Sequence, residues 1–505
     1  MLQTESSFPS ILKNKYFILV AVMALALAVG MAGLLDPVVL LGAVAMLYLV
    51  MMLFKSADFT VLFVMFVIYS NTAVVLTKFH GVPPAVGYAL PLLLLIPFIR
   101  QIIVENQKIK INVVFVFMVL YFSVMLLGSA FASDIALTMP ALINFVVEGL
   151  GLYFLIINTI RTPKLLNQVV WSLLIAGAFM GGLSLYQQIT GNFTDPYWGF
   201  AQVTGRPFTT QETLQGAVSQ YKVAGPIGEQ NRYAQLMLVL VPLGLFRAWG
   251  EQSWKLRLAA FILTGLIFVG ASLAFSRGAM VGFLLMIVVM AFMRYIKMRQ
   301  VLVIFLGIAL LLVAFPQNNV RFSSLGALFS TQEEGGLRTA DGSIQGRATE
   351  MLVALLVFWD HPVFGVGPGM LGYEMAEYSR IVGLKNIVTT RESHSMYLGE
   401  AAEHGALGIF TLMLIFFYTL HRLAKARTYW LEKDQMNMAN LCTGFFLAVI
   451  GYMTTAMFLH MSYIRYLWLI MALAVVASEF TEADVAEDLP EQNPKETPLF
   501  AKNVA

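Results

Sequence analysis

Charged residues are scarce in this chain of 505 residues: 12% are Asp, Glu, Lys or Arg, whereas 59% are hydrophobic. A soluble globular protein has about 25% charged residues because its surface must be covered with polar groups. The mean hydropathy of +0.76 indicates the same, so the composition excludes a soluble protein and predicts a membrane protein. The net charge of +3 is too small for a basic nucleic-acid-binding face, and we expect no nucleic-acid partner.

Cysteine is scarce, and the common nucleotide-binding motifs are missing. The single cysteine, Cys442, cannot form an intrachain disulfide and lies in an apolar run, where a buried thiol is expected. Residues 365–369 (GVGPG) follow a helix and contain proline, which predicts a turn rather than a dinucleotide-binding loop. No Walker motif is present, and neither His394 nor His404 has a second histidine at metal-ligand spacing, so we expect no cofactor and no metal.

Apolar runs recur along the chain at the length that crosses a bilayer core about 30 Å thick. About fourteen such runs are found, which predicts an all-α polytopic membrane protein. Their approximate bounds are 16–34, 37–54, 59–77, 85–104, 111–131, 139–160, 166–188, 232–249, 257–275, 279–296, 300–315, 396–420, 439–459 and 463–478. The first run follows Lys13 and Lys15 as in a signal peptide, but its small residues lie in the middle of the run and many further spans follow, so we expect no cleavage.

Lysine and arginine positions predict the orientation, because short cytoplasmic loops retain these residues and short exported loops do not. The predicted cytoplasmic segments carry Lys13, Lys15, Lys55, Arg100, Lys108, Lys110, Arg161, Lys164, Arg247, Lys255, Arg257, Arg294, Lys297, Arg299, Arg422, Lys425, Arg427 and Lys433. The short outer connections carry only Lys78, Arg277 and Arg465. Both termini are therefore predicted to be cytoplasmic.

Two long outer loops interrupt the spans. The predicted regions are N-terminal transmembrane helices at 1–189, a first long periplasmic loop at 190–231, central transmembrane helices at 232–315, a large periplasmic loop at 316–395, C-terminal transmembrane helices at 396–478 and a disordered acidic cytoplasmic tail at 479–505. Within the large loop, the pattern from Ser343 to Trp359 is typical of an amphipathic helix, which we expect to lie along the outer membrane surface.

Three cationic or titratable residues lie at outer ends of predicted spans. Arg232 begins an apolar helix, where its guanidinium and the helix N–H groups suit phosphate oxygens; an arginine that only anchors the interface is the alternative. Arg277 lies in a tight outer turn and needs a partner, either an internal carboxylate such as Glu148 or an anionic ligand, because an unpaired charge drawn toward the core costs about 2–3 kcal/mol. His394 precedes a span and can accept a proton without metal assistance; a structural role is the alternative, and His404 is a weaker candidate.

Four motifs follow one another along the chain: GPIGEQNRYAQLML at 225–238, AFSRG at 274–278, the stretch 347–369 with Trp359, Pro362 and its glycine-rich turn, and SHSMYLGEAAEHGALG at 393–408. Together they resemble the O-antigen ligase and polymerase family of bacterial inner-membrane glycosyltransferases. Their order and spacing also fit, over about residues 190–420. In the family an asparagine often follows the histidine, whereas this chain has Ser395.

The resemblance implies a GT-C-like, metal-independent glycosyltransferase that uses a glycan carried on undecaprenyl diphosphate at the periplasmic face of the bacterial inner membrane. It also implies that Arg232 and Arg277 engage the diphosphate and that His394 lies near the acceptor hydroxyl. Two guanidinium groups can neutralise the diphosphate leaving group without a divalent ion. Because the acceptor would attack the anomeric carbon from the opposite face, inversion at that carbon is predicted.

Further candidates for substrate contacts are Arg347, Arg391, Tyr397 and Asn231, each with a plain structural alternative. The resemblance also implies that the acceptor is a second glycan, the lipid A core or another hydroxyl, and we expect the protein to contact membrane lipid. A ligase and a polymerase both remain open, although the long first outer loop and the number of spans favour a polymerase. A solute permease is the alternative from another class, and a non-catalytic scaffold is a third. The cations cluster at one membrane face, and Glu148 is the one clear mid-span charge. This pattern favours chemistry at the membrane surface over transport.

Overall fold

The computed structural model describes residues 37–213, 216–302, 306, 342–459, 465–482 and 484–485. Its helices in the first half of the chain are α1 (Pro37–Lys55), α2 (Ala57–Tyr69), α3 (Thr72–Phe79), α4 (Pro84–Leu92), α5 (Leu95–Ile103), α6 (Val113–Ser129), α7 (Ile135–Asn144), α8 (Leu152–Thr159) and α9 (Pro163–Thr190). The later helices are α10 (Gln230–Gly250), α11 (Trp254–Leu273), α12 (Arg277–Phe292), α13 (Gly342–Asp360), α14 (Leu371–Val382), α15 (Met396–Glu432), α16 (Met436–Thr455) and α17 (Arg465–Glu479).

Seven helices within the described residues are long and apolar enough to cross a membrane, or up to eight if the bent pair α2 and α3 forms one span. Three further apolar helices are shorter: Ala45–Lys55, α6 and α12. These helices agree with the predicted helical, polytopic membrane protein. The number of about fourteen spans stays a prediction, and the predicted spans 16–34 and most of 300–315, like the predicted tail from 486 onward, lie outside the described residues.

The core of the bundle is formed by helices that are apolar on every side. Every residue of α17 from Tyr466 to Ser478 is buried, and α10 is buried from Tyr233 to Gly244. A helix without a polar face must be surrounded by other helices. Tyr69 of α2 connects these two helices, since its hydroxyl donates to the Leu236 carbonyl at 2.8 Å and its ring packs edge-on against Tyr466.

Several apolar runs that the sequence presents as continuous are broken in the structure. The helices α2 and α3 meet at an angle of 58°, next to Asn71 with a φ of +56°. A π-helical turn, Phe145–Gly151, joins α7 to α8 and carries Glu148. The helix α15 changes direction at Gly405, whose φ of +66° a residue with a Cβ rarely adopts. Such turns expose polar groups inside a bundle, and they are frequent at functional sites.

The first long loop contains β-structure that the all-α prediction missed. Strands β1 (Gln202–Thr213) and β2 (Gly216–Gly225) pair antiparallel, with irregular register between Thr204 and Thr209. The segment is rich in Val and Thr, which favour strands. Because the strands lie outside the apolar runs, the search for membrane spans could not reveal them.

The predicted amphipathic helix is present as α13. Its buried side is formed by Val353, Ala354 and Val357, while Leu355 and Trp359 are exposed. The exposed apolar side is thus the one that the sequence pattern predicts for the membrane surface, and its contact with lipid stays a prediction. A hydrogen bond connects the next helix, α14, to α13: the hydroxyl of Tyr378 donates to Asp360 at 2.8 Å. Burial, together with this carboxylate, raises the pKa of Tyr378 to about 12, so the hydroxyl stays a donor.

The glycine-rich segment 365–369 is a turn, as predicted. It docks on the break in α15: the N–H groups of Val366 and Gly367 donate to the carbonyls of Ala402 and Glu403, each at 3.0 Å. A Cβ on Gly365 would lie 2.3 Å from the backbone of Glu403. The turn therefore needs glycine for close packing, and it fixes the end of α13 against α15.

Basic residues occupy two opposite ends of the bundle. Arg232 and Arg247 lie near opposite ends of α10, about 22 Å apart along a helix that rises 1.5 Å per residue. Tyr295 packs against Phe246, next to Arg247, and its ring also packs against Arg427 of a predicted cytoplasmic segment. This separation agrees with the predicted sorting of charge; which end faces the cytoplasm stays a prediction.

Candidate active site

The first turns of α10, α12 and α15 lie at one end of the bundle, because all three contact the same end of α16. The Gln235 amide donates to the Thr455 hydroxyl at 2.7 Å, and the Tyr397 hydroxyl donates to the Met453 carbonyl at 2.7 Å. The first turn of α12 packs against the short 3₁₀ turn Ala456–Phe458 that follows α16. The two arginines and the histidine predicted from the sequence are therefore grouped at one end.

His394 is held by a buried carboxylate. Its Nδ1 lies within hydrogen-bonding distance of Glu350 Oε2, and the Glu350 side chain is only 1% exposed. Since an ionised carboxylate only accepts hydrogen bonds, this contact favours the tautomer in which Nδ1 carries the proton and Nε2 presents its lone pair. The His394 side chain is 38% exposed, so this nitrogen belongs to a ring that substrates can reach.

Glu350 is a residue of the candidate site that sequence reasoning missed. It lies on α13, 44 positions before His394, and the motif stretch 347–369 was noted without it. One signal was available: Glu350 is a single acid directly before the apolar run Met351–Trp359. Burial of an acid in such a place requires a cationic or hydrogen-bonding partner.

Arg391 also contacts this carboxylate, with its Nη1 at 3.4 Å from Glu350 Oε1. Arg347 lies three residues before Glu350 on α13 and is half-buried, which places it on the same side of the helix. The structure thus groups two of the four additional candidates around the His394–Glu350 pair. Neither arginine is more than a candidate for substrate contact.

Arg232 is the third residue of α10 and forms an ion pair with Glu392, two residues before His394. The expectation that the helix N–H groups here await a phosphate is wrong, because the Glu229 carboxylate already accepts from the N–H groups of Asn231 and Arg232, at 3.1 and 2.7 Å. The Asn231 amide also donates to Glu229, at 2.9 Å. Only the Arg232 guanidinium remains as an anion-binding group at this helix end, and Asn231 serves the helix cap.

Arg277 is the first residue of α12, after Ser276, whose hydroxyl caps the helix by accepting from Ala279 N at 3.4 Å. Its side chain is exposed and has no hydrogen bond or ion pair with any residue that the structure describes. Glu148, the internal partner considered for it, instead pairs with Arg465. An anionic ligand for Arg277 therefore stays a prediction.

A cavity of about 240 Å³ lies beside Arg232. It is lined by Asn71, Val74, Glu148, Ile227, Arg232, Leu236, Arg465 and Tyr466, and we call it the arginine cavity. Arg465 was assigned from the sequence only to a short outer connection, and no pattern in the chain connects it with Arg232. The structure brings both arginines to one cavity.

Tyr397 and Ser395 have structural roles. The Tyr397 hydroxyl donates to a backbone carbonyl of α16, which leaves its half-buried ring as part of the packing between α15 and α16. Ser395 is the N-cap of α15, with its hydroxyl accepting from Leu398 N at 3.5 Å. Asparagine and serine are both favourable N-cap residues, so the departure from the family pattern at this position preserves a capping group.

His404 lies deeper and is fully buried. Its Nδ1 is 3.1 Å from Glu400, which also accepts from the Tyr121 hydroxyl. Glu403 accepts from the Gly369 N–H at 2.8 Å. These ionisable groups inside α15 show that Glu148 is not the one mid-span charge. Their contacts explain them as parts of the packing. In the described part of the chain, no group of three or more His, Cys, Asp or Glu residues is arranged to hold a metal ion.

Residues 258–413 match the family model described as O-antigen ligase. This part of the chain is similar to the O-antigen ligase family. The resemblance drawn from the four motifs is confirmed, and the match points to a glycan-transferring enzyme. No curated protein matches the chain.

The O-antigen ligase match runs from α11 into the first half of α15, so it includes Arg277, Glu350 and His394. Arg232 and Arg465 lie on either side of it, on α10 and α17. The end of the bundle described above therefore combines residues of the O-antigen ligase domain with residues that only the tertiary structure adds.

Proposed function

We propose that the protein is a glycosyltransferase of the bacterial inner membrane that moves a glycan from undecaprenyl diphosphate to an acceptor hydroxyl at the periplasmic face. The observation that carries this proposal is the pairing of His394 with the buried Glu350 at the bundle end that also presents Arg232 and Arg277. A base and two anion-binding groups at one site are what glycosyl transfer from a diphosphate requires.

In this mechanism His394 Nε2 takes the proton of the acceptor hydroxyl as the oxygen attacks the anomeric carbon. The new carbon–oxygen bond forms as the bond from that carbon to the diphosphate breaks, and undecaprenyl diphosphate leaves with the electron pair. Arg232 and Arg277 neutralise the charge that develops on the leaving group, which lets the reaction proceed without a divalent ion. Attack from the face opposite the leaving group inverts the anomeric carbon.

Glu350 stabilises the imidazolium that forms when His394 takes up the proton. A carboxylate on the far ring nitrogen also keeps the imidazole in the tautomer that can act as a base. General-base catalysis contributes typically 10²–10⁴-fold to such a reaction. We therefore expect His394→Ala to lower kcat by about that factor.

The test is reconstitution of the purified protein in liposomes with a defined undecaprenyl-diphosphate glycan, offered the lipid A core and a second lipid-linked unit as competing acceptors. Transfer to the core identifies a ligase, and chain lengthening identifies a polymerase. His361→Ala is the matched control, because this exposed histidine on the same outer segment lies outside the site. Activity that survives in His394→Ala at the level of His361→Ala would exclude His394 as the base.

The same liposomes test the permease alternative. Broken spans and buried ionisable groups occur in transporters, and both occur here, at α2–α3 and in α15. Solute flux without any transferred glycan would favour the permease. Transfer that continues in the presence of a chelator, with an inverted linkage in the product, is the result expected of the proposed enzyme.

A further inference from the structure

The arginine cavity has two guanidinium groups and an apolar part. Arg232 and Arg465 provide the charge, and Val74, Ile227 and Leu236 provide the apolar lining. An amphiphilic anion matches such a lining better than a small hydrophilic ion does, because its apolar portion also leaves water. Arg277 is not among the residues that line this cavity.

We propose that the arginine cavity binds the diphosphate group of the lipid-linked donor and that Arg465 is a further guanidinium that holds it. This inference rests on the proposed function, since it names the group of the donor that the cavity receives. Paired guanidinium groups suit a diphosphate because their N–H groups match the spacing of phosphate oxygens.

Arg465 is held rigidly in place. Its Nη2 donates to Asn71 Oδ1 at 2.7 Å, its Nη1 lies 3.4 Å from Glu148 Oε1, and its side chain is 11% exposed. The Asn71 amide in turn donates to the Pro226 carbonyl at 2.8 Å, directly before Ile227. A fixed guanidinium loses little conformational entropy when it binds an anion, so it can contribute strongly to affinity.

Both arginines contact carboxylates that a bound diphosphate must displace or tolerate. Glu392, which pairs with Arg232, is 58% exposed and can move into water, whereas Glu148 is 22% exposed and stays beside Arg465. Glu148 therefore acts against anion binding, and Arg465 acts for it. Substitutions of these two residues should change affinity in opposite directions, which a purely structural ion pair cannot do.

The experiment measures binding of farnesyl diphosphate and of inorganic pyrophosphate to the full-length protein in nanodiscs. We expect Arg465→Gln to weaken farnesyl diphosphate by about tenfold to a hundredfold, the range for losing a hydrogen bond to a charged group. Glu148→Gln should tighten it. Arg380→Gln, which removes an exposed charge from α14, is the matched control and should leave the affinity unchanged.

Arg465→Gln leaves Glu148 without its ion pair and could unfold the protein, so the double variant Glu148→Gln/Arg465→Gln, which removes both charges, is measured as well. It should remain monodisperse and bind farnesyl diphosphate more weakly than the wild type but more tightly than Arg465→Gln. Equal or same-direction effects of the two single substitutions would overturn the proposal. Pyrophosphate binding as tight as that of farnesyl diphosphate would overturn the assignment to a lipid-linked donor.

The transfer assay separates this inference from the proposed function. His394→Ala should bind farnesyl diphosphate with unchanged affinity, because that residue does not line the cavity. If the wild-type protein transfers glycan but Arg465→Gln does not change the affinity, the proposed diphosphate site is refuted and the proposed glycosyltransferase is kept. If Arg465→Gln and Glu148→Gln change the affinity for farnesyl diphosphate in opposite directions but no glycan is transferred, the proposed glycosyltransferase is refuted and the diphosphate site is kept.

Discussion

Replacement of Glu350 by glutamine tests the proposed catalytic pair most directly. The substitution keeps the size of a side chain that is 1% exposed but removes the charge that faces His394 Nδ1. Glutamine can still accept one hydrogen bond through its carbonyl, but it cannot stabilise the imidazolium that forms as the acceptor hydroxyl is deprotonated. The loss should therefore appear in the chemical step.

The size of the effect follows from the contact that is lost. A hydrogen bond to a charged group contributes roughly 1.5–3 kcal/mol, and about 1.4 kcal/mol corresponds to a factor of ten in rate. We thus expect kcat to fall by about 10- to 100-fold in Glu350→Gln. Glu350→Asp keeps the charge with a shorter reach and should restore part of the rate.

The assay is glycan transfer in liposomes at varied donor concentration, combined with farnesyl diphosphate binding and thermal unfolding of each variant. A positioning role predicts a lower kcat with unchanged donor KM, unchanged diphosphate affinity and a similar Tm. Arg391 is half-exposed, so water can replace its contact with Glu350 and little structural change is expected. A kcat within twofold of wild type, or parallel losses of affinity and Tm, would refute the reasoning.

Three further predictions concern residues around the site. Glu392→Gln should lower the donor KM, because it removes the carboxylate that competes for Arg232, and a raised KM would contradict this competition. Ser395→Ala should lower the free energy of unfolding by about 1 kcal/mol through loss of the α15 cap, whereas Ser395→Asn should be nearly neutral in thermal unfolding; equal effects of the two would exclude capping. Gly405→Ala should lower Tm strongly, because the residue has a φ of +66° and the added Cβ would lie 2.2 Å from the Val363 carbonyl oxygen. A Tm equal to that of the wild type would contradict the close packing at this break in α15.

Some of the candidate site could be predicted from local sequence. His394, Arg232 and Arg277 are polar residues at the ends of apolar runs, where a charge needs an explanation, and the structure groups them at one end of the bundle. The glycine-rich turn was also predictable, because proline and repeated glycine break helices. The β-hairpin and the breaks in α2–α3 and α15 were not predicted, since a search for apolar runs of fixed length ignores both strands and bends.

Membrane residence, the helical class and the separation of basic residues follow from the amino-acid sequence alone. Each of these depends on composition and on local order along the chain, because each segment enters a bilayer according to its own hydropathy and flanking charge. Glu350 and Arg465 belong to the other kind of property. Their partners, His394 and Glu148, are 44 and 317 positions away, and only the packing of α13 on α15 and of α17 beside the π-helical turn brings the pairs into contact.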